Sequence, residues 1–518
     1  MHPGFERSLH RIVGADRVSQ RATDRQTYST DMWPKAQIWK LQGNPSKYRP
    51  DFIAWPETIE EISALIRTCQ KFSVPIIPYG AGSGVCGGTI PTRGGLILDL
   101  KRLNRVLAID HDGYTVHTES GVIGEVLERT VNRIGCTVGH FPSSIYCSTV
   151  GGWISTRSAG QYSSRYGKIE DIVLGVRFVD GTGRVWDTRD NPVGTNHLDL
   201  LPLITGSEGT LGVITDAHLR VHPLPQKTAF RGVEVPNLQT GLELVRQLGQ
   251  MDHRPLVVRL YDPLDTALCG LEQSRNTDGS LFEGIQNMVG RLSSKLDFLA
   301  RSKMDDLGSS LQAFGLTYPS VSNRVTRMIR EACLLVFGFD GDEETVAKSM
   351  AYTVELAGKL ECTDLGEAPG INWLRSRHDA SFRQSSVYAL GGFIDTMEVA
   401  TTYDNLYRLY DRVMRATAPY AVTMAHFSHA YREGCSIYFT FGARHGNPTQ
   451  LEEIYRRVWR MAMNSVIEHG GILSHHHGIG LLKRDRMREE LGAGVDAIRA
   501  LKGVLDPNHI FNPGKLIP

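Results

Sequence analysis

The chain has 518 residues, 41% of them hydrophobic and 22% charged, and its 57 basic and 56 acidic side chains leave a formal net charge of +1. This composition is ordinary for a globular protein, and the length is too great for one core, so two or three packed domains are expected. The near-zero net charge excludes a general electrostatic reason to expect nucleic-acid binding.

The cysteines and the termini indicate where such a protein is found. The 8 cysteines contain no C-x-x-C pair, which is typical of reduced thiols rather than of a disulfide framework or a zinc site. The N-terminal run MHPGFERSLHRIVGADR lacks the apolar core of a signal peptide, no run of about 18 apolar residues occurs, and the ending GKLIP is not a peroxisomal address. We therefore expect a cytoplasmic protein, with peripheral contact to a membrane left open.

The first regular elements are predicted from residue 51. The run DFIAW (51–55) predicts a strand, and Thr58-x-x-Glu61 predicts a helix that begins with a capping box. One face of this helix carries Ile59, Ile62, Leu65, Ile66 and Cys69. The run VPIIPYG (74–80) predicts the next strand and completes a βαβ unit.

A glycine-rich loop follows that strand. It contains Gly80, Gly82, Gly84, Gly87 and Gly88, and the spacing from 82 to 87 formally matches the dinucleotide fingerprint. A Rossmann turn must open directly into a helix, whereas this loop leads into a further strand, LILDL (96–100), so a Rossmann fold is not predicted. Glycines with positive φ can instead point successive N–H groups at an anion. A flexible surface loop is the alternative, which the two apolar flanking strands disfavour.

Three further segments rich in Ser, Thr and Gly lie beside apolar runs, at residues 142–160, 163–173 and 206–215. Small residues let a backbone approach a ligand closely, and hydroxyl and N–H groups donate hydrogen bonds to phosphate or to a polar ring edge. Any one of these segments alone is more typical of a turn. Four of them within residues 78–215 predict an extended, phosphate-bearing cofactor.

A second domain is predicted to begin near Leu224, with strands at residues 230–235, 255–262 and 332–340. Strand alternation places Arg259 opposite the apolar side chains, where it is either a functional residue or an exposed arginine paired with a neighbouring carboxylate. Residues 281–317 carry an apolar stripe at helical spacing, formed by Ile285, Val289, Leu292, Leu296, Leu299, Leu307, Leu311 and Phe314. Core packing is the simplest interpretation, and a helical flap over an acyl tunnel or a membrane-dipping surface is the alternative hypothesis.

Two further features near the C-terminus are candidates for chemistry. Tyr438 lies in a predicted strand, CSIYFTFGA, where a tyrosine usually packs with its hydroxyl satisfied. His475, His476 and His477 follow a Gly-Gly turn and a predicted short strand, ILS, so that at most two of them share a face. A three-histidine metal site from this run is therefore not expected. Imidazoles exchange protons near neutral pH, so the run is a candidate acid–base group, with a solvent-exposed cluster as the alternative.

Seven segments together resemble a known family: IIPYGAGSGV, STVGGWISTRSAG, RYGKIEDIV, GSEGTLGVIT, RLYD, CSIYFTF and SHHHGIG. In this order they are similar to the FAD-binding vanillyl-alcohol-oxidase (PCMH) superfamily and, within it, to the alkylglycerone-phosphate synthase (alkyl-dihydroxyacetone-phosphate synthase) family. The resemblance implies an α+β fold. An N-terminal helical segment (1–46) would precede a two-subdomain PCMH-type FAD-binding domain (47–225) and an α+β cap or substrate domain (226–460). A C-terminal segment with helix (461–518) would pack on the FAD domain and complete the active site.

The resemblance also implies which residues hold FAD. They are Pro78, Tyr79, Gly80, Ala81, Gly82, Ser83 and Gly84; Ser143, Ser144, Ile145, Tyr146, Cys147, Ser148 and Thr149; Thr156, Arg157, Ser158 and Ala159; and Glu208, Gly209, Thr210, Leu211, Gly212, Val213 and Ile214. Some superfamily members bind FAD covalently through a histidine in the first of these segments. Because that segment has no histidine here, we expect the FAD to be non-covalent.

The activity implied by the resemblance is a step of ether-lipid synthesis. The acyl group of acyl-dihydroxyacetone phosphate would be exchanged for a fatty alcohol through a bond between flavin N5 and substrate C1, with no net oxidation. Arg383 would bind the substrate phosphate, with Arg375 and Arg377 as competitors because the local match is loose. The implied catalytic residues are Tyr438, His475, His476, His477 and Arg259. Which of them is the base stays open, and we also expect a homodimer.

An FAD-dependent 2-hydroxy-acid dehydrogenase or oxidase, of the D-lactate or glycolate type, is the alternative. Such relatives share the FAD domain and the ending LDPNHIFNPGKL, but they usually carry a G-E-H-G-I-G-like run where this chain has Ser474-His-His-His-Gly. They also tend to bind a divalent metal through carboxylates and histidines, for which His426 and His429 are conceivable ligands. The missing Glu before His477 leads us to predict no metal. A non-catalytic FAD-binding protein is disfavoured because every catalytic-type position is filled.

Overall fold

The computed structural model describes residues 3–45, 47–188, 199–274, 315–326, 331–379 and 385–518. The chain forms two compact units, the first made of Met1–Gln226 with Ile472–Pro518 and the second of Lys227–Gly471. The boundary expected at 225/226 is one residue from this division. The boundary expected at 460/461 falls inside a continuous helix, Pro448–Glu468, which belongs to the second unit. The chain therefore returns to the first unit only after that helix has ended.

The first unit begins with a small mixed sheet. Its elements are α1 (Pro3–Val13), β1 (Val18–Ser19), α2 (Ala22–Thr27), α3 (Lys35–Leu41), β2 (Phe52–Ala54), α4 (Ile59–Phe72), β3 (Ile76–Tyr79) and β4 (Leu96–Asp99). The strand order is β1-β2-β4-β3, with β2 and β3 both parallel to β4. The predicted βαβ unit is thus present, and β4 lies between its two strands.

Helix α4 begins where its sequence predicts. The Thr58 hydroxyl accepts a hydrogen bond from Glu61 N at 3.2 Å, but the Glu61 carboxylate accepts from Glu57 N at 2.7 Å instead of closing a capping box on Thr58 N. The predicted apolar face is buried against α1 and the sheet, in a core that includes Ile62, Leu65, Ile66, Cys69, Phe5 and Leu9. Burial of this face is what fixes α4 on the sheet.

The rest of the N-terminal part of this unit is built on an antiparallel sheet. Its elements are β5 (Val106–Asp110), β6 (Thr115–Glu119), α5 (Gly124–Asn132), β7 (Cys136–Thr137), α6 (Val150–Thr156), α7 (Ser163–Tyr166), α8 (Ile169–Ile172), β8 (Val173–Asp180), β9 (Val185–Asp187), α9 (Leu201–Ile204), β10 (Gly212–Arg220) and β11 (His222–Pro223). The sheet order is β5-β6-β10-β8-β9. One face packs on α5 and α6 in a core that contains Val116, Leu127, Trp153, Phe178 and Leu219.

The second unit is an α+β layer built on one antiparallel sheet. Its elements are β12 (Lys227–Val235), α10 (Leu238–Gly249), β13 (Val257–Tyr261), α11 (Pro263–Ser274), α12 (Pro319–Thr326), β14 (Cys333–Gly341), α13 (Glu343–Lys359), β15 (Thr363–Asp364), α14 (Ala368–Ser376), α15 (Ser385–Ala389), β16 (Gly392–Thr402), α16 (Leu406–Thr417), β17 (Val422–Ala430), β18 (Gly434–Arg444) and α17 (Pro448–Glu468). The order is β15-β12-β14-β13-β17-β18-β16. The strands predicted at 230–235, 255–262 and 332–340 are all confirmed.

The chain then re-enters the first unit with α18 (Met487–Leu491) and α19 (Gly494–Leu505). Beyond α19 it runs beside β3, where Ile76 N donates to Ile510 O at 2.8 Å and Asn512 N donates to Ile76 O at 2.7 Å. The Lys502 ammonium donates to the carbonyl oxygens of Thr210 and Phe511 at 2.6 and 3.0 Å. The C-terminal segment is therefore hydrogen-bonded into the sheet that precedes the glycine-rich loop.

The predicted strand ILS at 472–474 is wrong, because only Ile472 is in a bridge, Leu473 is a bend and Ser474 has no regular structure. All eight residues of the predicted apolar stripe within 281–317 lie outside the described residues. Within the described ranges, the structure contains no helix that combines the length and the hydrophobicity of a membrane span.

Candidate functional site

The glycine-rich loop has a row of unpartnered N–H groups. The backbone N–H groups of residues 81–84 donate no hydrogen bond to any described part of the chain. Gly82 has φ +65°, and a Cβ atom there would lie 2.1 Å from Tyr79 Oη, so only glycine fits. A Cβ atom on Gly84 would meet nothing within 4 Å, which marks the open side of the loop. Unpaired N–H groups beside open space form an anion-binding concavity.

The structure brings all four predicted cofactor segments together. A Cβ atom on Gly80 would lie 2.3 Å from Thr149 Oγ1, and one on Gly209 would lie 3.0 Å from Pro78 Cγ. The fourth segment also contacts the helix that ends in the third, because Glu208 N donates to Ser155 O at 2.9 Å. Segments separated by more than 100 residues therefore line one region of the first unit, within which the loop N–H groups are available.

The second segment, Ser143 to Thr149, alternates between packing and exposure. Thr149 caps α6 by accepting a hydrogen bond from Gly152 N, and Ser148 Oγ accepts from Trp153 Nε1 at 2.7 Å. Ile145 belongs to the buried core, whereas Ser143, Tyr146 and Cys147 are exposed, Tyr146 by 65%. The buried residues hold the segment in place, whereas the exposed ones lie at its surface.

The third segment, Thr156 to Ala159, ends α6 in a left-handed turn at Arg157, whose φ is +52°. The Arg157 guanidinium donates to Thr205 O at 3.1 Å, which connects this turn to the fourth segment. Ser158 is buried and lies 3.2 Å from His140 Nε2. Arg157 and Ser158 are thus engaged with the protein, so a ligand would be contacted here through backbone or through Thr156.

The fourth segment contributes mainly backbone. Leu211, Val213 and Ile214 are nearly fully buried in apolar cores, so their side chains pack. Glu208 is also buried, with φ +51°, and its carboxylate accepts hydrogen bonds from Ile479 N and Gly480 N at 2.5 and 2.7 Å. Burial raises the pKa of Glu208, and these two N–H donors oppose the rise. The carboxylate therefore holds the segment after the triple histidine.

These features fit a dinucleotide such as FAD. The loop offers unpartnered N–H groups for a pyrophosphate, and the other three segments offer backbone and small hydroxyl groups over an extended path. Lys101 stabilises the start of the loop, since its ammonium donates to Gly80 O at 2.9 Å and pairs with buried Asp99. No histidine occurs in residues 78–84, and none of the loop side chains there is a nucleophile beyond Ser83 and Tyr79.

The triple histidine is a bend, stabilised by a Ser474 hydroxyl that donates to Gly478 O at 3.1 Å. The Nδ1 atoms of His475 and His476 are 2.9 Å apart, so one of them carries a hydrogen and the other accepts it. The rings of His476 and His477 meet edge to face, with centroids 4.6 Å apart. His475 is buried and the other two are half-buried, so the run is not a solvent-exposed cluster.

In the second unit, register places four polar side chains in one row across the sheet. Tyr261 on β13 is opposite His426 on β17, His426 is opposite Tyr438 on β18, and Tyr438 is opposite Glu398 on β16. Alternation sends their apolar neighbours, such as Phe427 and Phe439, to the other face, where α16 and α17 pack. We call Tyr261, His426, Tyr438 and Glu398 the polar row.

Tyr438 is well placed to hold a proton. Its hydroxyl donates to Thr396 Oγ1 at 3.1 Å, and its ring stacks on His426 with centroids 4.7 Å apart and planes 17° from parallel. Burial raises the pKa of Tyr438 to about 12, while the Arg259 guanidinium acts to lower it. The phenol is therefore protonated at neutral pH, with a cation nearby that stabilises the tyrosinate form.

Arg259 meets the polar row through His426. Its Nη2 lies 3.3 Å from His426 Nδ1, which also lies 3.3 Å from Asp265 Oδ2. Burial and the Arg259 charge hold the pKa of His426 well below its ordinary value, and burial raises the pKa of Asp265 to about 6. Arg259 is thus a half-buried member of a charged group, and the interpretation of an exposed arginine is wrong.

Arg383, the remaining predicted site residue, lies outside the described residues. Of its competitors, Arg375 is exposed, and Arg377 lies with its guanidinium carbon 5.8 Å from the Trp373 ring centroid. Sequence reasoning gave no role at this site to Glu398, Thr396 or Asp265, and it considered His426 only as a metal ligand. The one signal was that polar residues interrupt three apolar strands, since pairing across strands is not visible in a single sequence.

Comparisons with known proteins agree with this geometry. The family model described as FAD binding domain matches residues 50–189, and the one described as FAD linked oxidases, C-terminal domain, matches residues 224–516. Alkyldihydroxyacetonephosphate synthase of Dictyostelium discoideum is 28% identical over 528 residues, covering 100% of this chain and 81% of the relative. The enzyme of that name from Trypanosoma brucei brucei is 29% identical over 531 residues, covering 99% and 80%. Glycolate oxidase subunit GlcD of Bacillus subtilis is 26% identical over 519 residues, covering 98% and 95%.

Solved structures show the same relationship. A structure of alkyldihydroxyacetonephosphate synthase superposes with a TM-score of 0.74 at 25% identity, over 99% of this chain and 85% of that chain. p-Cresol methylhydroxylase shares the fold at 15% identity, with a TM-score of 0.71. The second family model alone covers more than half of the sequence. The chain belongs to the FAD-linked oxidases of the PCMH (vanillyl-alcohol-oxidase) superfamily and is related over its full length to alkyldihydroxyacetonephosphate synthase.

Proposed function

We propose that this protein is an FAD-dependent transferase of the alkylglycerone-phosphate synthase type, which exchanges the acyl group of acyl-dihydroxyacetone phosphate for a fatty alcohol. The observation that carries the proposal is the 28% identity to the synthase of Dictyostelium discoideum over 100% of this chain. This similarity includes the second unit, where Tyr438 and Arg259 lie, and is not restricted to the FAD-binding domain.

The first unit would bind FAD without a covalent bond. The N–H groups of residues 81–84 would hold the pyrophosphate, and the segments around Thr149, Thr156 and Gly209 would line the remainder. Bound FAD supplies a redox-active, electrophilic ring system for the reaction. The absence of a histidine from residues 78–84 supports non-covalent binding. Acid precipitation should accordingly leave all the flavin in solution, and flavin that stays with the precipitate would contradict this part of the proposal.

The chain's own groups would bind the substrate and move its protons. Arg383 would hold the phosphate through bidentate hydrogen bonds, with Arg375 and Arg377 as the competitors. Tyr438 Oη, protonated at neutral pH, would deliver a proton and take one back in the second half of the exchange. The hydrogen shared between His475 and His476 Nδ1 provides a second site for proton transfer. Arg259 would stabilise the tyrosinate.

An anaerobic visible spectrum tests the proposal. Acyl-dihydroxyacetone phosphate should bleach the flavin, and a fatty alcohol added next should restore the absorbance without any electron acceptor. This cycle is expected because the exchange involves no net oxidation. If the first addition has no effect on the spectrum, or if only an electron acceptor restores the absorbance, the synthase assignment is wrong.

The second candidate is an FAD-dependent 2-hydroxy-acid dehydrogenase or oxidase. It is favoured by the 26% identity to glycolate oxidase subunit GlcD, since the match covers 95% of that protein as well as 98% of this chain. The same experiment separates the two candidates. Glycolate or D-lactate should leave the spectrum unchanged if the protein is a synthase, whereas bleaching that only an acceptor reverses would establish the second candidate.

A further inference from the structure

His426 lies between two groups that compete for one of its nitrogen atoms. Its Nδ1 is 3.3 Å from Arg259 Nη2 and 3.3 Å from Asp265 Oδ2. The imidazole is only 6% exposed. The guanidinium can only donate hydrogen bonds, and an ionised carboxylate can only accept them. Nδ1 therefore accepts from Arg259 when it carries a lone pair, and it donates to Asp265 when it carries a hydrogen.

The environment keeps the ring uncharged, which leaves one of its two nitrogen atoms with a lone pair. Burial and the Arg259 charge keep His426 neutral at physiological pH, and the guanidinium remains charged throughout. In a neutral ring with the hydrogen on Nε2, the Nδ1 lone pair faces Arg259. The hydrogen bond then orients the guanidinium, which is also within cation–π range of Tyr261, at 5.3 Å from its ring centroid.

The elements that hold this arrangement are fixed by a buried carboxylate. Asp262 accepts hydrogen bonds from Asp265 N at 2.8 Å, from Ala425 N at 2.8 Å and from the Tyr410 hydroxyl at 3.1 Å. It therefore joins the first turn of α11 to β17, one residue before His426. The spacing of His426 and Asp265 is consequently set by backbone positions, whereas the Arg259 guanidinium lies at the end of a longer side chain and contacts His426.

His426 is also the direct neighbour of Tyr438. The two residues are opposite each other in the register, and their rings stack almost in parallel. The other charged groups of the second unit that act on the phenol are Arg259, Glu398 and Asp395. Of these three, the arginine is the one that stabilises the tyrosinate, and the two carboxylates oppose it.

We propose that His426 is a positioning residue, whose Nδ1 holds the Arg259 guanidinium where its charge stabilises the ionised form of Tyr438. The proposal adds a residue to the site and gives His426 a role other than metal binding. Its effect on turnover rests on the proposed function. Its effect on Tyr438 ionisation does not, because that is a property of the protein without substrate.

The test uses two substitutions with opposite losses. His426→Phe keeps an aromatic ring for the stack but removes the Nδ1 acceptor. His426→Asn removes the stack, while its side-chain oxygen can accept from Arg259 in place of Nδ1. The readout is the ¹⁹F NMR titration of 3,5-difluorotyrosine incorporated at position 438, in full-length, FAD-loaded and chelator-treated protein. The fluorinated phenol ionises at a lower pH than tyrosine, so the titration stays within the stable range.

We expect His426→Phe to raise the ionisation midpoint of Tyr438 by about one pH unit. In His426→Asn the midpoint should stay close to that of the unsubstituted protein. His445→Phe, at an exposed position of the same unit, should leave the midpoint unchanged. In an Arg259→Gln background, His426→Phe should have no further effect, because the two residues act through one interaction. Activity assays, where the proposed function holds, should show about a tenfold loss of kcat with little change in KM for His426→Phe.

Three outcomes would overturn the proposal. An unchanged midpoint in His426→Phe would show that Nδ1 does not act on Tyr438. A shift in His426→Asn without one in His426→Phe would assign the effect to ring stacking. Additive shifts in the Arg259→Gln background would show that His426 acts independently of the arginine. If the ionisation midpoint of Tyr438 shifts as expected in these variants but the protein has no synthase activity, this inference is supported and the proposed function is wrong.

Discussion

The two units of this protein present their functional groups in different ways. In the first unit, the cofactor segments offer backbone N–H groups and small hydroxyls, and the buried titratable side chains, such as Glu208, are engaged in holding the chain together. In the second unit, the functional groups are side chains in a row across a sheet, with Tyr438 and His426 at its centre. The glycine-rich loop can bind a cofactor through its backbone N–H groups, whereas the side chains of the polar row can also exchange protons.

This difference has a consequence for substitution. A change in the cofactor segments of the first unit should act on cofactor retention or on stability, because it alters backbone placement or structural hydrogen bonds. A change in the polar row should act on turnover while cofactor content stays normal. Four substitutions test this contrast.

Tyr438→Phe should lower turnover by about 100-fold or more, because it removes the proposed proton-transferring hydroxyl and leaves the half-buried ring in place. FAD content and thermal stability should stay close to those of the unsubstituted protein. Steady-state kinetics with the substrate identified by the spectral test provide the measurement. Tyr352→Phe is the matched control, since Tyr352 is 51% exposed on α13. Normal turnover in Tyr438→Phe would remove the tyrosine from the mechanism.

Gly84→Ala should weaken FAD binding by about tenfold or more without destabilising the apoprotein, since the added methyl group would meet only the space assigned to the cofactor. Fluorescence titration of apoprotein with FAD measures the affinity. Gly503→Ala on α19 is the control, because a Cβ atom there also meets nothing within 4 Å. Equal affinities in the two variants would mean that the open side of the loop does not face FAD.

Glu208→Ala should lower the free energy of unfolding of the first unit by about 2 to 3 kcal/mol. The substitution leaves the buried N–H groups of Ile479 and Gly480 without their acceptor. Glu208→Gln keeps one acceptor oxygen and should cost less. Denaturant unfolding in saturating FAD, followed by tryptophan fluorescence, measures the difference. If Glu208→Ala and Glu208→Gln are equally stable, the carboxylate does not hold the C-terminal segment.

Lys515 should make the stability of the first unit depend on pH. Its ammonium is 2% exposed and donates to Ile90 O at 2.6 Å, and burial lowers its pKa from 10.5 to about 7. Between these two values the unfolded chain binds the proton more strongly than the folded one. The lysine therefore contributes a rise in stability with pH across this window, of at most about 1.4 kcal/mol per pH unit, and contributes no slope below pH 7.

The Lys515→Met variant should lose that rise, and the exposed Lys359→Met variant should keep it. Denaturant unfolding of the three proteins between pH 7 and pH 10.5 provides the comparison. Parallel pH profiles for Lys515→Met and the unsubstituted protein would show that Lys515 titrates normally in the folded state.

Several features of the protein could be predicted from the sequence because they depend on local patterns. The face of α4, the strands around Phe52, Ile76 and Leu96, and the strands of the second unit follow from periods of 3.6 and 2 residues. The glycine-rich loop was interpretable for the same reason, since a run of glycines between buried strands restricts what the backbone can do. The resemblance of motifs along the whole chain correctly indicated the superfamily.

The tertiary structure decided which distant residues meet. The polar row joins positions 261, 398, 426 and 438, and only strand order and register bring them into line. Glu208 was predicted beside the cofactor from its motif, and its carboxylate is instead bound by N–H groups some 270 residues later. A local pattern determines an element and its buried face, because neighbouring residues set both. Which two elements become neighbours depends on the packing of the whole unit, and that information is spread over the entire chain.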